Sequence, residues 1–534
     1  VTVQSGAALT GTGTIGGLIV RTGASATAGM PGQSLNVAGN VLFEQGSQLN
    51  VVATPQQSGA VNSSGGTTLA GGQVQVLAGQ GIYTPSMNYP IVTATGGVSG
   101  TFEGVSSNLA FLTPTLSYDQ THVYIELQPN GAAFSSVATT PNEGSVAGAL
   151  ATVPTTGTLI PALLSTDVQT ARTAFNQLDG ELHASTKSML LIDSRYLRDA
   201  VTDRLREGLA PSSGPLSALS AGSAQCDTRL AQGALPANGA NAADTAHGGS
   251  RDACVDPRPY QPVVWAQAYG SDSKLAGNSN VSGIDRSTAG FIGGADMALN
   301  DQWRIGLAGG FAHSSLDNDL NSSASVDSYH IAMYGGAQYG PVGVRLGAAY
   351  TWNDMGMDRY PNFTGFSDHD KSDYSAKTAQ VFGEVGYAIP LDRFALEPFA
   401  GLAYVNLHTD GFTENGGDGA LRSSGETDNI GFSTLGLRIA TRLGSLPLAA
   451  FSAHAMAGWR HAFGNAQPTS TLAFVSGGSS FDVAGVPIAR DTAVVELGLD
   501  ANVAKNMTLG VSYSGQYGGG SHDNAIWGRF AWKF

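Results

Sequence analysis

From Pro262 to Phe534 the sequence alternates apolar with polar residues, the pattern of a sheet with two unlike faces. Ala493, Val495, Leu497, Leu499, Ala501 and Val503 oppose Thr492, Glu496, Asp500 and Asn502. Met507, Leu509, Val511, Tyr513 and Tyr517 oppose Thr508, Ser512, Ser514 and Gln516, and in the last run Ile526, Phe530, Trp532 and Phe534 oppose Arg529 and Lys533. Twelve such runs are counted. A soluble antiparallel sheet alternates in the same way, so three further features decide. Charges stand in mid-strand on the polar face (Glu384, Arg438, Arg460, Glu496 and Asp500), where a hydrated lumen accepts them. Aromatics gather toward strand ends, among them Trp265, Tyr269, Trp459, Trp527 and Trp532, as in interfacial girdles. Short links, such as Asn300-Asp301 and Gly340-Pro341, alternate with long polar ones near 272–285, 314–325, 355–373, 411–426 and 465–488. Together these predict a 12-stranded antiparallel transmembrane β-barrel over 262–534, with both ends on the side of the short turns. No run approaches 18 consecutive apolar residues, so no transmembrane helix is expected.

The rest of the chain is punctuated differently. Gly is 72 of 534 residues and charged residues only 13%, against about 7% and about 25% in ordinary soluble proteins. A net charge of −15 lacks the basic footprint that nucleic acid demands. Residues 1–128 repeat a short β-rich run followed by Gly, Asn or Ser, as in Leu18-Ile19-Val20, Val41-Leu42-Phe43 and Val74-Gln75-Val76. This fits a stacked β-solenoid, with a globular sandwich as the alternative. Tyr89 to Leu127 is denser in large apolar residues and suits a cap. Residues 129–165, rich in Ala, Thr, Ser, Gly and Pro, read as a linker with nascent helix. Residues 166–208 carry the strong helical pattern, with Leu197, Val201 and Leu205 at i+4. Ten charged residues lie between Glu181 and Glu207, including Arg195, Arg198, Asp199, Asp203 and Arg204. A helix of that span is about 40 Å long and cannot face lipid, so it is either solvated or a plug in a polar lumen. Residues 209–261 read as a second linker, whose Cys226 and Cys254 predict a disulfide if the compartment is oxidising, with two free thiols as the alternative. The start at Val1, inside a strand-like pattern with no signal peptide, reads as part of a longer precursor.

At this point the residues resemble a known family. The run Ile526 to Phe534, ending on an aromatic, is similar to the C-terminal signal of outer-membrane barrels, with Ile526, Phe530, Trp532 and Phe534 as the residues read by the barrel-assembly machinery. Leu182 to Thr186 and Ser194 to Asp199 resemble the pore helix of autotransporter translocators. Leu9 to Thr14, Gly96 to Phe102 and Leu109 to Tyr118 resemble the end of an autotransporter passenger. The order of these segments carries the resemblance, and the cysteine-bearing linker departs from it. The resemblance implies an all-β protein: the end of a right-handed parallel β-helix with an autochaperone-like cap, then a lumenal helix in the barrel. It further implies type V secretion, an outer-membrane location with the N-terminal region at the cell surface, and a monomer. Its implied partners are outer-membrane lipid, the assembly machinery, periplasmic chaperones and the chain's own upstream passenger.

Little in the sequence suggests catalysis, and neither an enzyme activity nor a cofactor is expected. There is no G-x-S-x-G, H-E-x-x-H or P-loop. Asp368-His369-Asp370 suits a metal less well than a solvated loop, and lumen polarity accounts for His454 and Arg460. Glu384 and Glu496 face the predicted lumen, where some autotransporters cleave their own passenger with acidic residues. The competing function is an outer-membrane barrel enzyme or porin carrying a small external β domain.

Overall fold

The computed structural model describes residues 1–209, 262–391, 394–446, 449–504 and 506–534. Near the N-terminus, successive short strands go to three different sheets. One stacks Thr2–Val3, Leu18–Val20, Val41–Phe43, Thr67–Ala70 and Val98–Thr101, all parallel. A second stacks Ala8–Leu9, Ser25–Thr27, Gln48–Ala53, Gln73–Ala78 and Gly104–Ser107 in the same sense. The third runs from Thr14–Ile15 through Ser34–Val37 and Ala60–Ser63 to Asn88–Ala94. Each circuit of the chain is therefore one rung of a solenoid, and the sandwich alternative falls. Val20, Phe43, Leu49, Val61 and Val74, drawn from all three sheets, fill its axis as one core. A hairpin, Leu112–Tyr118 with His122–Pro129, closes one end antiparallel to Asn88–Ala94.

The helical region departs from expectation. Residues 129–165 hold a 3₁₀ turn at Phe134–Val137 and two helices, α1 (Pro141–Leu150) and α2 (Leu159–Leu164). Their small residues looked like a linker because burial comes on several sides, without an amphipathic stripe; Val146, Ala147, Ala149 and Leu150 are all core. Thr140 caps α1, its Oγ1 accepting from Glu143 N at 3.2 Å, and Pro141 opens the helix. The single helix expected over 166–208 is two, α3 (Val168–Leu178) and α4 (Glu181–Leu209). Gly180 breaks them apart at φ +68°, and a Cβ there would stand 2.5 Å from Leu421 Cδ1.

Twelve long antiparallel strands then form one closed sheet. Strands 1 to 6 are Val263–Leu275, Ile284–Ala298, Trp303–Asn318, Ser322–Tyr339, Val342–Arg359 and Asp370–Tyr387. Strands 7 to 12 are Phe394–Thr409, Glu426–Leu446, Ala449–Gly464, Asp491–Ala504, Met507–Gly518 and Ser521–Lys533. Closure comes from strand 12 on strand 1, from Val263↔Lys533 to Lys274↔His522. Segments expected as loops, 314–325 above all, are instead strand extensions: strands 3 and 4 turn at 319–321. Strands of 16 to 18 residues exceed the roughly 9–11 that cross a bilayer, so these hairpins project beyond it. The loops after strands 7 and 9 are folded too, joining Phe412–Thr413, Leu421–Ser423, Thr469–Phe474 and Phe481–Ala484 in a four-stranded sheet at the mouth.

Outward side chains are apolar and bare: Leu307, Leu402 and Leu497 are 67%, 69% and 60% exposed. A continuous apolar band of this kind requires lipid. No helix among the described residues is long and apolar enough to cross a membrane. Three residues read as girdle aromatics face inward instead: Trp265, Tyr269 and Trp527 are buried in the lumen. Space for such rings comes from glycines on the neighbouring strand. Gly290 pairs with Tyr269, Gly306 with Tyr334 and Gly347 with Phe382, and a Cβ at each glycine would lie 2.3–2.5 Å from the ring. Gly290→Val should therefore displace Tyr269 and destabilise the barrel by about 1–3 kcal/mol, measured as a lower heat-unfolding midpoint in detergent. An unchanged midpoint would mean that the ring has somewhere else to go.

Candidate functional site: the barrel lumen and its helix

α4 enters the barrel at the rim of long loops and leaves at the rim of short turns. Near its start, Lys187 pairs with Glu426 and lies 3.5 Å from Asp428, at the loop end of strand 8. Near its end, Arg204 Nε donates to Asp296 Oδ2 at 2.6 Å, at the short-turn end of strand 2. Contacts between helix and wall fall into three tiers.

At the mouth, His183 Nε2 donates to Glu414 Oε1 at 2.9 Å. An ionised carboxylate only accepts, so the proton is on Nε2 and Nδ1 accepts from Tyr374 OH, also at 2.9 Å. Arg359 holds Glu414 with two donors, Nε at 2.8 Å and Nη2 at 2.7 Å. Half-way down, Tyr196 stacks on Tyr269 at 4.6 Å, and Tyr269 on Trp527 at 4.6 Å. The Tyr196 hydroxyl donates to Asp523 Oδ2 at 3.0 Å, and Arg195 and Arg286 reach the same carboxylate at 2.9 and 2.7 Å. At the base, Asp296 also pairs with Arg304 and accepts from Tyr334 OH at 3.2 Å.

Above the mouth, α1 to α3 and the solenoid join to this assembly. Asp418 Oδ2 accepts from Thr158 N at 2.6 Å at the start of α2, and Asn142 exchanges two 3.0 Å hydrogen bonds with Ala484. Tyr83 N of the solenoid donates to Ser165 Oγ at 2.9 Å, and the Phe111 and Phe134 rings meet edge to face at 4.9 Å.

The family model for the autotransporter beta-domain matches residues 264–514. Residues 264–514 are an autotransporter β-domain. An extracellular serine protease of Serratia marcescens is 30% identical across the whole of this chain and 52% of its own length. A second protein of that name from the same organism is 29% identical over 94% of this chain and 49% of its own. The chain thus spans about half the length of the relatives it matches. Among solved structures, the translocator domain of autotransporter NalP from Neisseria meningitidis aligns over 66% of this chain and 98% of its own. Its TM-score is 0.46 and its identity 15%. The transport unit of autotransporter AIDA-I from Escherichia coli aligns over 51% and 89%, at TM-score 0.38 and 18% identity.

Within this autotransporter domain the five charges read as inward all line the lumen. Glu384 is held by Arg345 at 2.7 Å and Arg438 at 2.6 Å. Glu496 and Asp500 share His454, at 3.2 and 3.0 Å, and Arg460 lies 3.9 Å from Asp199. Glu384 and Glu496 therefore face one cavity, each held by its own basic groups. On α4, Asp203 pairs with Arg206, while Arg195 and Arg204 bind the wall. Asp368, His369 and Asp370 engage different partners: the Gly417 and Gly419 amides, Asp358 and Arg359. Ile526, Trp532 and Phe534 are exposed on the outer face, with Phe530 half-buried beside them. Cys226 and Cys254 lie outside the described residues. Sequence reading missed Arg286, Arg359, Glu414 and Asp523. Arg286, Arg359 and Asp523 have the same strand parity as the charges that were found, so the signal was present; Glu414, in a loop, gave none.

Burial works against the charge of Glu414, but Arg359 and His183 hold its carboxyl at about 2. A carboxyl depressed in the folded state contributes stability above its unfolded pKa near 4.3, and that contribution is lost as pH falls through about 2. Its size is on the order of 3 kcal/mol. Glu414→Gln should lower the heat-unfolding midpoint at pH 6 and flatten its fall between pH 4 and pH 2. A variant that keeps the wild-type acid slope would assign that slope to another group.

Proposed function

We propose that this chain is the export and anchoring unit of a longer surface protein. The barrel sits in the bacterial outer membrane, the solenoid lies outside the cell, and α4 remains in the lumen as the last part of the exported segment. One observation carries this reading: a continuous chain runs from the solenoid, above the long-loop rim, through the lumen to the short-turn rim. An exported passenger still attached to its barrel needs that path. A porin needs an open lumen, and α4 stands in it. The Serratia marcescens relatives are about twice as long and are named extracellular serine proteases; if this protein is built alike, its activity resides upstream of the solenoid. Barrel-assembly machinery and periplasmic chaperones are the proposed partners of the unfolded form, with Ile526, Phe530, Trp532 and Phe534 as the recognition face.

Expressed behind a signal sequence with an epitope ahead of Val1, the chain should expose that epitope to protease added to intact cells. Cleavage only after the outer membrane is permeabilised would overturn the orientation. In the same assay, loss of Phe534 should slow display and accumulate unfolded precursor in the periplasm. Burying such a ring fully contributes only about 1.5–3 kcal/mol, and Phe534 is 52% exposed, so thermodynamics alone gives a mild defect. Display at wild-type rate would refute the signal role.

The plug reading has its own measurement. In planar bilayers the whole chain should conduct weakly, and deletion of 181–209 should raise the conductance severalfold. Equal conductance would show that α4 does not limit ion flow.

A further inference from the structure

α4 does not fill the lumen evenly. It packs mainly against strands 3 to 7. On its other side three cavities follow one another from mouth to base. The upper and middle cavities share Arg198, Phe432, Arg460 and Gln516 as lining residues, and the middle and lower ones share Arg438, Met456, Glu496 and Arg529. These adjoining cavities form a side passage along the helix.

The junction of the upper two cavities has an unbalanced charge. Apart from Arg198 and Arg460, the guanidinia of the lumen, from Arg359 at the mouth to Arg529 at the base, each reach a carboxylate oxygen within 3.2 Å. Arg198 reaches none within 4 Å among the described residues, although it is only 8% exposed. Its polar contact is a 3.0 Å hydrogen bond from Nη1 to Gln380 Oε1, and its guanidinium lies 5.8 Å from the centre of the Phe432 ring. Arg460 donates through Nε to Thr434 Oγ1 at 3.2 Å; its carboxylate neighbour Asp199 is 3.9 Å away and lies 3.7 Å from Arg195. With its amide oxygen turned toward them, Gln516 accepts from Arg460 Nη1 at 2.9 Å and Arg195 Nε at 3.0 Å, a neutral partner for two cations. At this level Arg195, Arg198, Arg286 and Arg460 face Asp193, Asp199 and Asp523, so one positive charge is left over. A guanidinium buried without a counter-charge is costly, and its planar donors suit an anion.

We propose that Arg198 and Arg460 form a binding site for a small inorganic anion in the side passage beside α4. The anion completes the charge balance of the helix–wall interface and is reached from water through the cavity under Pro487–Ala489. It binds by charge-assisted hydrogen bonds from the two guanidinia, with no covalent step.

The test is heat unfolding of the whole refolded chain in detergent, titrated with sodium sulfate at constant ionic strength against sodium gluconate. The wild-type midpoint should rise saturably, by about 3–6 °C at a tenfold excess over Kd. Arg198→Gln with Arg460→Gln should abolish the saturable part. Should that pair fail to fold, Asp199→Asn gives an independent reading: removal of the competing carboxylate should lower the half-saturating sulfate concentration severalfold. A sulfate response that is absent or non-saturable in the wild type, unchanged in the double variant, or unchanged by Asp199→Asn overturns the site.

Discussion

The pairing of strand 12 with strand 1 is the constraint on which everything else rests. An open sheet would leave two rows of backbone donors and acceptors facing hydrocarbon, at several kcal/mol for each unsatisfied group. The register from Val263↔Lys533 to Lys274↔His522 removes both edges together. It also fixes the perimeter at twelve strands, and so sets a lumen that admits one helix of about 10–12 Å diameter with room to one side. Inward parity then decides which side chains that helix meets.

Inside that perimeter neither surface is viable alone. Without the helix, Asp296 and Asp523 of the wall would lose the guanidinia of Arg204 and Arg195, and α4 alone would hold those cations without these counter-charges, whereas Arg345, Glu384, Glu397 and Arg438 pair within the wall. Each supplies the other's counter-charges, while the Tyr196–Tyr269–Trp527 stack supplies apolar contact between them. The mouth is finished by elements outside the barrel. α1 and α2 cap it, and the loops after strands 7 and 9 fold onto those helices through Asp418 and Ala484.

The barrel was legible in the sequence because a period of two is imposed by the pleat itself, so Leu497 and Glu496 declare their faces without further context. The solenoid was legible more weakly, since short runs such as Val41-Leu42-Phe43 specify strands but not which sheet each joins. Residues 129–165 misled for a physical reason. A short helix buried on several sides by small residues has no polar face, and Ala-Gly-Thr sequences of that kind look like linkers. The inward turn of Trp265, Tyr269 and Trp527 was hidden differently. Position near a strand end suggested a girdle, while the deciding fact is a glycine on the adjacent strand, such as Gly290 beside Tyr269. Glu414 belongs to the same class, because its partners Arg359 and His183 come from a barrel strand and from α4, far away in sequence.

The staggered tiers along α4 also have a mechanical meaning. Force applied to the solenoid along the barrel axis passes through α1 to α3 into the axis of α4. The ties from Lys187 to Glu426, Arg195 to Asp523 and Arg204 to Asp296 run across that axis, from helix to wall. An axial pull loads them in shear and together, whereas a sideways pull would peel them one after another. The same arrangement that neutralises charge in the lumen thus makes the helix a tether that holds best in the direction in which an external domain would pull.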